Sequence, residues 1–440
     1  MKRIEAFDKS RALSQRAHEL IPAGCHTYSK GDDQFPFDSP GFIERGSGCY
    51  VTDVDGNRFL DWGMGLRSVI LGHAYPRVLE AVHAHLQWGS NFPRPAPVEV
   101  ELAEILVDLI PCAEMVKFAK DGSDVTSGAV RLARAYTCRP MVAICREHPF
   151  FSFNDWFIGS TPCNAGVPEA VQALTVKFNY NDLQSLERIF SDHPGQIAAV
   201  VLEPVAFESP QAGFLEGVRD ISRRHGAVLI FDEMISGFRF HLGGAQTHFN
   251  VTPDLATFGK ALANGFSVSA LVGWREIMEL GGIKHNKPRV FLLSATHGAE
   301  THALAAAVAT VAELKEKEVI PHLWRIGSRL QQGLKQLVQR FGLDSLVEVA
   351  GYPCSPLITF RDAAGGISMP LRTLFLQEMI AHGVLIPWVA VSFSHGDAEV
   401  QLTLDAAEQA LEVLRKAVRE GSTDRYLAGP PAKPVFRRFN

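Results

Sequence analysis

Short aliphatic runs separated by longer amphipathic stretches constrain this chain more than any other feature. Residues 115–118, 141–144, 197–202 and 227–231 are strand-like, and each run ends at a polar or turn-forming position. Between them, 125–136, 183–190 and 215–225 carry apolar residues at helical spacing. Strands this apolar need cover on both faces, and alternation with helices supplies it when the strands form a mostly parallel sheet. The pattern therefore predicts an α/β fold. With 440 residues, 46% of them hydrophobic, the chain is long enough for a large domain and a smaller one.

The ends read differently. A helix is expected over 7–20, followed by a Gly/Pro/Asp-rich stretch through Gly46 that should run over the surface or over a neighbouring subunit. A helical run over 302–339 leads to strand-like 346–349 and 356–360, then helix, strand and a last helix over 404–419, which reads as a smaller α+β domain. The expected division is 1–60 as an N-terminal segment joining the small domain, 61–310 as the large domain and 311–440 as the small one. Residues 429–434 read as a stiff tail.

Charge removes several function classes. Forty-three basic against 48 acidic residues, net -5, leave no surplus for a phosphate backbone, so nucleic acid is not an expected partner. Residues 1–8 are charged and lack the apolar core of a secretory signal, and no run approaches the ~20 apolar residues that span a bilayer. No membrane partner and a cytoplasmic location are the expectation. The seven cysteines show no metal-like spacing and read as reduced thiols; no metal is expected.

Three segments carry chemistry. Residues 229–233 form a strand ending in Asp232 and Glu233, and the carboxyl end of a parallel strand is where such sheets bind ligands. An acid there can also simply cap the next loop. Lys260 follows an apolar run and sits among Gly259, Ala261 and Ala263, surroundings that a surface lysine does not need. A desolvated lysine forms imines with aldehydes, and a carboxylate against a pyridine nitrogen keeps that nitrogen protonated. Together they describe one cofactor. Asp121-Gly122-Ser123-Asp124 follows a strand and opens a helix whose free N–H groups suit a phosphate, although a plain helix cap made by Ser123 or Asp124 fits as well. No Gly-Lys-Ser/Thr ending supports a nucleotide loop.

The motifs at 51–57, 70–74, 231–239 and 253–260, in this order, resemble those of class III (subgroup II) aminotransferases of fold type I, in the branch that includes glutamate-1-semialdehyde 2,1-aminomutase. The resemblance spans about residues 21 to 414 and implies pyridoxal 5'-phosphate, held as a Schiff base by Lys260 with Asp232 on the pyridine nitrogen. It further implies that Gly122 and Ser123 bind the phosphate. Phe150 would stack on the ring, unless it is a core side chain, and Met234 would cover the other face. Glu203 matches an acid near the cofactor. Thr296 matches a threonine that reaches the phosphate from a second subunit, which implies a homodimer with shared active sites.

Departures from the aminomutase pattern favour a two-substrate aminotransferase, with glutamate as donor and a keto or aldehyde acceptor; the alternative is intramolecular transfer by a mutase. Lys30 stands where the mutase branch has a carboxylate-binding arginine, Arg67 is introduced near the expected pocket mouth, and 387–395 is shorter and lacks an acid. Arg67 is the first candidate for the donor carboxylate and Lys30 the second; a surface ion pair would explain either. The segments 121–124 and 148–152 resemble those of a subgroup that includes the aminotransferase making 8-amino-8-deoxy-Kdo, which suggests a keto sugar acid such as 8-oxo-Kdo as acceptor, in amino sugar biosynthesis. His26, His148 and His395 read as packing residues before substrate contacts. A cofactor-binding protein without turnover would be expected to lack Lys260 or Asp232, and both are present.

Overall fold

The computed structural model describes residues 3–439; Met1, Lys2 and Asn440 lie outside it, and so does the start of the charged N-terminal run. The chain divides into two compact units, one of Met1–Tyr75 with Pro321–Arg437 and one centred on Pro76–Ile320. In chain order the strands are β1 (Ile43–Ser47), β2 (Tyr50–Asp53), β3 (Arg58–Asp61), β4 (Met115–Ala119), β5 (Met141–Cys145), β6 (Thr175–Phe178) and β7 (Ile197–Leu202). They continue with β8 (Val228–Asp232), β9 (Leu255–Phe258), β10 (Ser269–Gly273), β11 (Val347–Tyr352), β12 (Ser355–Phe360) and β13 (Val384–Leu385).

The Pro76–Ile320 unit is built on a sheet in the order β4-β10-β9-β8-β7-β5-β6. From β9 to β6 every neighbouring pair is parallel, and β10 runs antiparallel between β4 and β9. Every residue of β5, β7, β8 and β9 is buried, which is why these segments read as unbroken apolar runs. The intervening helices bury one stripe. Phe214–Arg224 turns Phe214, Leu215, Val218 and Ile221 inward, the i, i+4, i+7 spacing of a helix lying on a sheet.

The other unit holds a four-stranded sheet, β1-β2-β3-β13, in which β3 and β13 are parallel, and the hairpin β11–β12. Several expected boundaries shift here for local reasons. The run expected over 302–339 is two helices, Thr301–Glu316 and Val319–Phe341, because Glu318 adopts φ 48°, a left-handed conformation that cannot continue a right-handed helix. The last helix begins at Asp397, not 404; its first turn is polar, and Glu399 Oε2 accepts the Gly396 N–H at 3.0 Å. The stretch before Gly46 contains three short 3-10 turns and the start of β1. The tail forms no helix or strand, yet it is pinned. Ala432 N donates to Thr373 Oγ1 at 3.0 Å and Lys433 N to Asp33 O at 2.8 Å.

Backbone packing in this unit depends on absent side chains. A Cβ at Gly327, on helix Val319–Phe341, would overlap the Pro353 carbonyl oxygen, whereas one at Gly333 would meet only the tip of Leu404. Alanine improves helix propensity by about 1 kcal/mol over glycine, but overpacking against fixed backbone costs about 1–3 kcal/mol or more. Gly327→Ala is therefore expected to lower stability by a few kcal/mol in urea unfolding, and Gly333→Ala by clearly less because a leucine can rotate away.

Candidate active site

Sheet topology brings the chemistry-bearing segments to one end of the Pro76–Ile320 unit. Strands β4, β8 and β9 point the same way, so the residues just past Ala119, Asp232 and Phe258 lie on a common edge. β10 enters at that edge: Ser269 pairs with Ala119, and its Oγ donates to Asp121 O at 2.7 Å. This is the carboxyl end of the parallel strands, where open α/β sheets place ligands.

Asp232 closes β8 opposite Thr257 of β9. Its Oδ1 accepts the Met234 N–H at 3.0 Å and the Thr257 hydroxyl at 3.3 Å. Burial nevertheless pushes its pKa up to about 6; the Met234 amide, the positive charge of Lys260 and the Thr257 hydroxyl oppose that rise without cancelling it. Its neighbour Glu233 is otherwise engaged. Its carboxylate accepts from Ala245 N, Gln246 N and the Ser236 hydroxyl, fixing the loop that leads away from the strand. The two acids thus have separate tasks, one structural and one facing the amine.

Lys260 stands two residues beyond β9 at φ 42°, a left-handed conformation uncommon outside glycine. It is half-buried, and Ala261, Leu262 and Ala263 behind it are fully buried, which explains why its neighbours are small or apolar. Met234 links the three segments. A Cβ added at Gly259 would overlap the Met234 methyl, and one at Gly122 would lie 3.0 Å from it. Met234, two residues beyond β8, therefore meets both the residue before Lys260 and the first residue of the helix Gly122–Thr137.

That helix starts where the sequence placed it. Asp121 caps it by accepting the Asp124 N–H at 3.1 Å. Ser123 is buried, and its Oγ accepts the Phe153 N–H at 3.1 Å, which leaves its own proton to donate. Sequence reasoning missed how the loop after β5 is fastened here. Thr126 Oγ1 donates to Phe151 O at 2.8 Å, while Asn154 Nδ2 and Trp156 Nε1 each donate to Ser127 Oγ at 2.8 Å. The available signal was the polar face Ser123, Thr126 and Ser127 at helical spacing, on a helix otherwise buried by apolar residues. The loop leaves Phe150 exposed beside Phe157, ring centroids 5.8 Å apart, so Phe150 is not the core side chain that was its alternative reading.

Other candidates fall into place one by one. His148 is buried and accepts the Glu203 N–H at 3.0 Å on Nδ1; burial holds its pKa down to about 3, so it is a neutral packing residue. Glu203 itself is buried. Thr296 is exposed, and its carbonyl accepts from Asn91 Nδ2 at 3.0 Å. Lys30 and Arg67 belong to the other unit, Lys30 exposed on the turn Tyr28–Lys30 and Arg67 half-buried. His395 of that unit is buried, stacked on Trp62 at 3.9 Å and bonded through Nδ1 to Ser392, again a packing residue. Among the described residues no helix is long and apolar enough to cross a membrane.

The chain is similar to known proteins over most of its length. The family model described as "Aminotransferase class-III" matches residues 28–386. A glutamate-1-semialdehyde 2,1-aminomutase from Syntrophomonas wolfei is 35% identical over 92% of this chain and 98% of its own. A 3-aminobutyryl-CoA aminotransferase from Cloacimonas acidaminovorans is 32% identical over 93% of this chain and 98% of its own. Among solved structures, the FumI protein of Sphingopyxis sp. MTA144, in a form with PLP, superposes with a TM-score of 0.86 at 27% identity, covering 97% of this chain and 99% of that one.

The raised Asp232 pKa has a measurable sign. Folding lifts it above the ordinary carboxylate range, so the ionised group destabilises the protein above about pH 6, and the penalty fades as pH falls through that value. Asp232→Asn keeps an acceptor for both donors. In the protein stripped of small molecules it is expected to raise the melting temperature most at pH 8, by clearly less at pH 5, and little below about pH 4, where the acid is protonated in both states.

Proposed function

This chain belongs to the class-III aminotransferases and is a pyridoxal-phosphate-dependent transaminase, and from that premise we propose that it moves an amino group from an amino-acid donor, glutamate, to a separate keto or aldehyde acceptor. The observation that carries the site assignment is the buried Asp232, raised by desolvation and facing the Lys260 charge around Met234. Such a carboxylate calls for a further positive partner, and a protonated ring nitrogen is one. The donor set fits the cofactor in its other parts as well: an amine held among small residues, and a helix N-terminus with the Ser123 hydroxyl proton free to donate to an anion.

When bound, pyridoxal phosphate supplies an aldehyde that forms imines with amines and a ring that takes up electron density as the donor's Cα–H bond breaks. Lys260 Nζ is assigned to hold the aldehyde carbon and, once displaced by the donor, to carry the proton from the donor's α-carbon. The Asp232 carboxylate keeps a proton on the ring nitrogen. Gly122 and Ser123 hold the phosphate, Phe150 and Met234 bracket the ring, and Glu203 lies in the surrounding shell. Thr296, exposed in the single chain, is assigned to the phosphate of a second subunit, which makes the working form a homodimer. Its compartment is taken to be the cytoplasm.

A two-substrate reaction is favoured over the mutase by the segment beyond β13. Val389, Ala390, Val391, Ser392 and His395 are all buried in packing, and 387–395 presents no carboxylate. Arg67 is the first candidate for the donor carboxylate and Lys30 the second. Acceptors with a carbonyl on a sugar-acid chain, such as 8-oxo-Kdo, remain the class suggested by segments 121–124 and 148–152. Intramolecular transfer on glutamate 1-semialdehyde is the second reading, supported by the 35% identity to an aminomutase.

The yellow protein mixed with glutamate alone is expected to lose its aldehyde absorption band and release 2-oxoglutarate, one equivalent per site. No change with glutamate or any other amine, together with conversion of glutamate 1-semialdehyde, would establish the mutase instead. Lys260→Ala is expected to abolish steady-state turnover while the protein still folds.

A further inference from the structure

In the loop that follows β5, Phe150 is 45% exposed while His148 before it and Phe151, Ser152, Trp156 and Phe157 after it are all buried. A ring left open between buried neighbours is held in place by them and not by its own burial. On one side His148 Nδ1 accepts the Glu203 N–H at 3.0 Å, which ties the loop to the residue after β7. On the other side Phe157 stands edge-on to Phe150, with ring centroids 5.8 Å apart, and edge-on to Phe151 and Trp156 at 5.6 and 6.0 Å. Whatever fixes Trp156 and Phe157 therefore also fixes Phe150.

That second flank is fastened to the helix Gly122–Thr137 through hydroxyls, and three of the contacts meet at Ser127 Oγ. It accepts from Asn154 Nδ2 and Trp156 Nε1, both at 2.8 Å, and lies 3.2 Å from Ser152 Oγ. A hydroxyl has two lone pairs and one proton, so with both lone pairs taken Ser127 is the donor toward Ser152. Ser152 Oγ also accepts the Asn154 N–H at 3.1 Å and turns its own proton to Ser123 O at 3.4 Å. A directed chain of hydrogen bonds thus runs from the Trp156 indole to the backbone of Ser123. Without the Ser127 hydroxyl, the buried indole N–H loses its acceptor, and Asn154 Nδ2 keeps only the longer contacts to Ser152 Oγ at 3.2 Å and Ser123 O at 3.4 Å. A buried donor without an acceptor is costly, and the loop can return it to water only by loosening.

We propose that Ser127 is a positioning residue, which acts through Trp156 and Phe157 to set the Phe150 ring at a fixed place relative to the N-terminus of its own helix. Ser123 and Ser127 are four residues apart and share one helix face. One takes the Phe153 N–H at 3.1 Å beside the anion-binding end, and the other holds the flank of the aromatic ring. Phosphate and ring belong to one rigid ligand, so their two holders bind it well only when correctly spaced. The inference rests on the assignment, made above, of Phe150 to the cofactor ring and of Gly122 and Ser123 to its phosphate.

The test is a double-mutant cycle on the yellow holoenzyme, with the pyridoxal phosphate dissociation constant measured by equilibrium dialysis and the circular dichroism of the aldehyde band as a second readout. S127A and F150A are each expected to weaken cofactor binding about tenfold and to diminish the dichroism. S127A/F150A should bind no more weakly than F150A alone, because without the ring nothing is left to position. A serine that only stabilises the fold would lower the affinity by the same factor in both backgrounds. Equal factors, or an S127A protein with parental affinity and dichroism beside a weakened F150A, overturn the proposal and leave the ring assignment standing. If S127A does not fold, W156F, which removes the indole donor and keeps an aromatic ring, takes its place in the cycle and is judged by the same outcomes. F150A with unchanged affinity overturns the ring assignment and the inference with it.

Discussion

The carboxylate of Asp232 sits at the carboxyl end of β8 in surroundings that favour its neutral form, and the rest of the large unit is arranged around that tension. An amide, a hydroxyl and one lysine charge are too little to offset its burial. On the proposed function, a protonated ring nitrogen would supply what is missing, and in return the ionised acid would make the ring a better electron acceptor. The parallel order of β8 and β9, and the two glycines that leave room for Met234, serve to hold acid, amine and helix N-terminus at one edge. On the same proposal, the stability given up locally would be restored when the cofactor binds.

The other unit shows the same economy in backbone form. Left-handed residues other than glycine cost about 1–2 kcal/mol each, yet Met64, Leu66 and Arg67 all adopt that conformation within one turn. Strain of this kind persists only where the surroundings fix it, and here Asp61 and Trp388 do so from both strand ends. A turn held this firmly presents Arg67 with little freedom.

Much of this was legible in the sequence because burial on both faces forces uninterrupted apolar runs. Strands β4, β5, β7 and β8 appear within a residue of where their runs predict them, and the segment 121–124 opens a helix as expected, although Asp121 caps it and not Ser123 or Asp124. Lys260 and Asp232 stood out for a related reason, since a charged residue among buried small or apolar neighbours needs an explanation. Other features were hidden because the backbone sets them. The break at Glu318 depends on one residue's φ, and the early start of the last helix on a cap at Gly396 ahead of Val400, the one buried apolar residue before 404. Nor does periodicity reveal the lacing of Asn154 and Trp156 to Ser127, which shapes the loop that carries Phe150.

Borohydride reduction of the purified yellow protein, followed by peptide mass mapping, tests the covalent assignment most directly. A pyridoxyl phosphate adduct on Lys260, in near-stoichiometric yield, is the expected result. An adduct confined to another lysine, or a preparation that takes up the cofactor and yields no adduct at all, would contradict it.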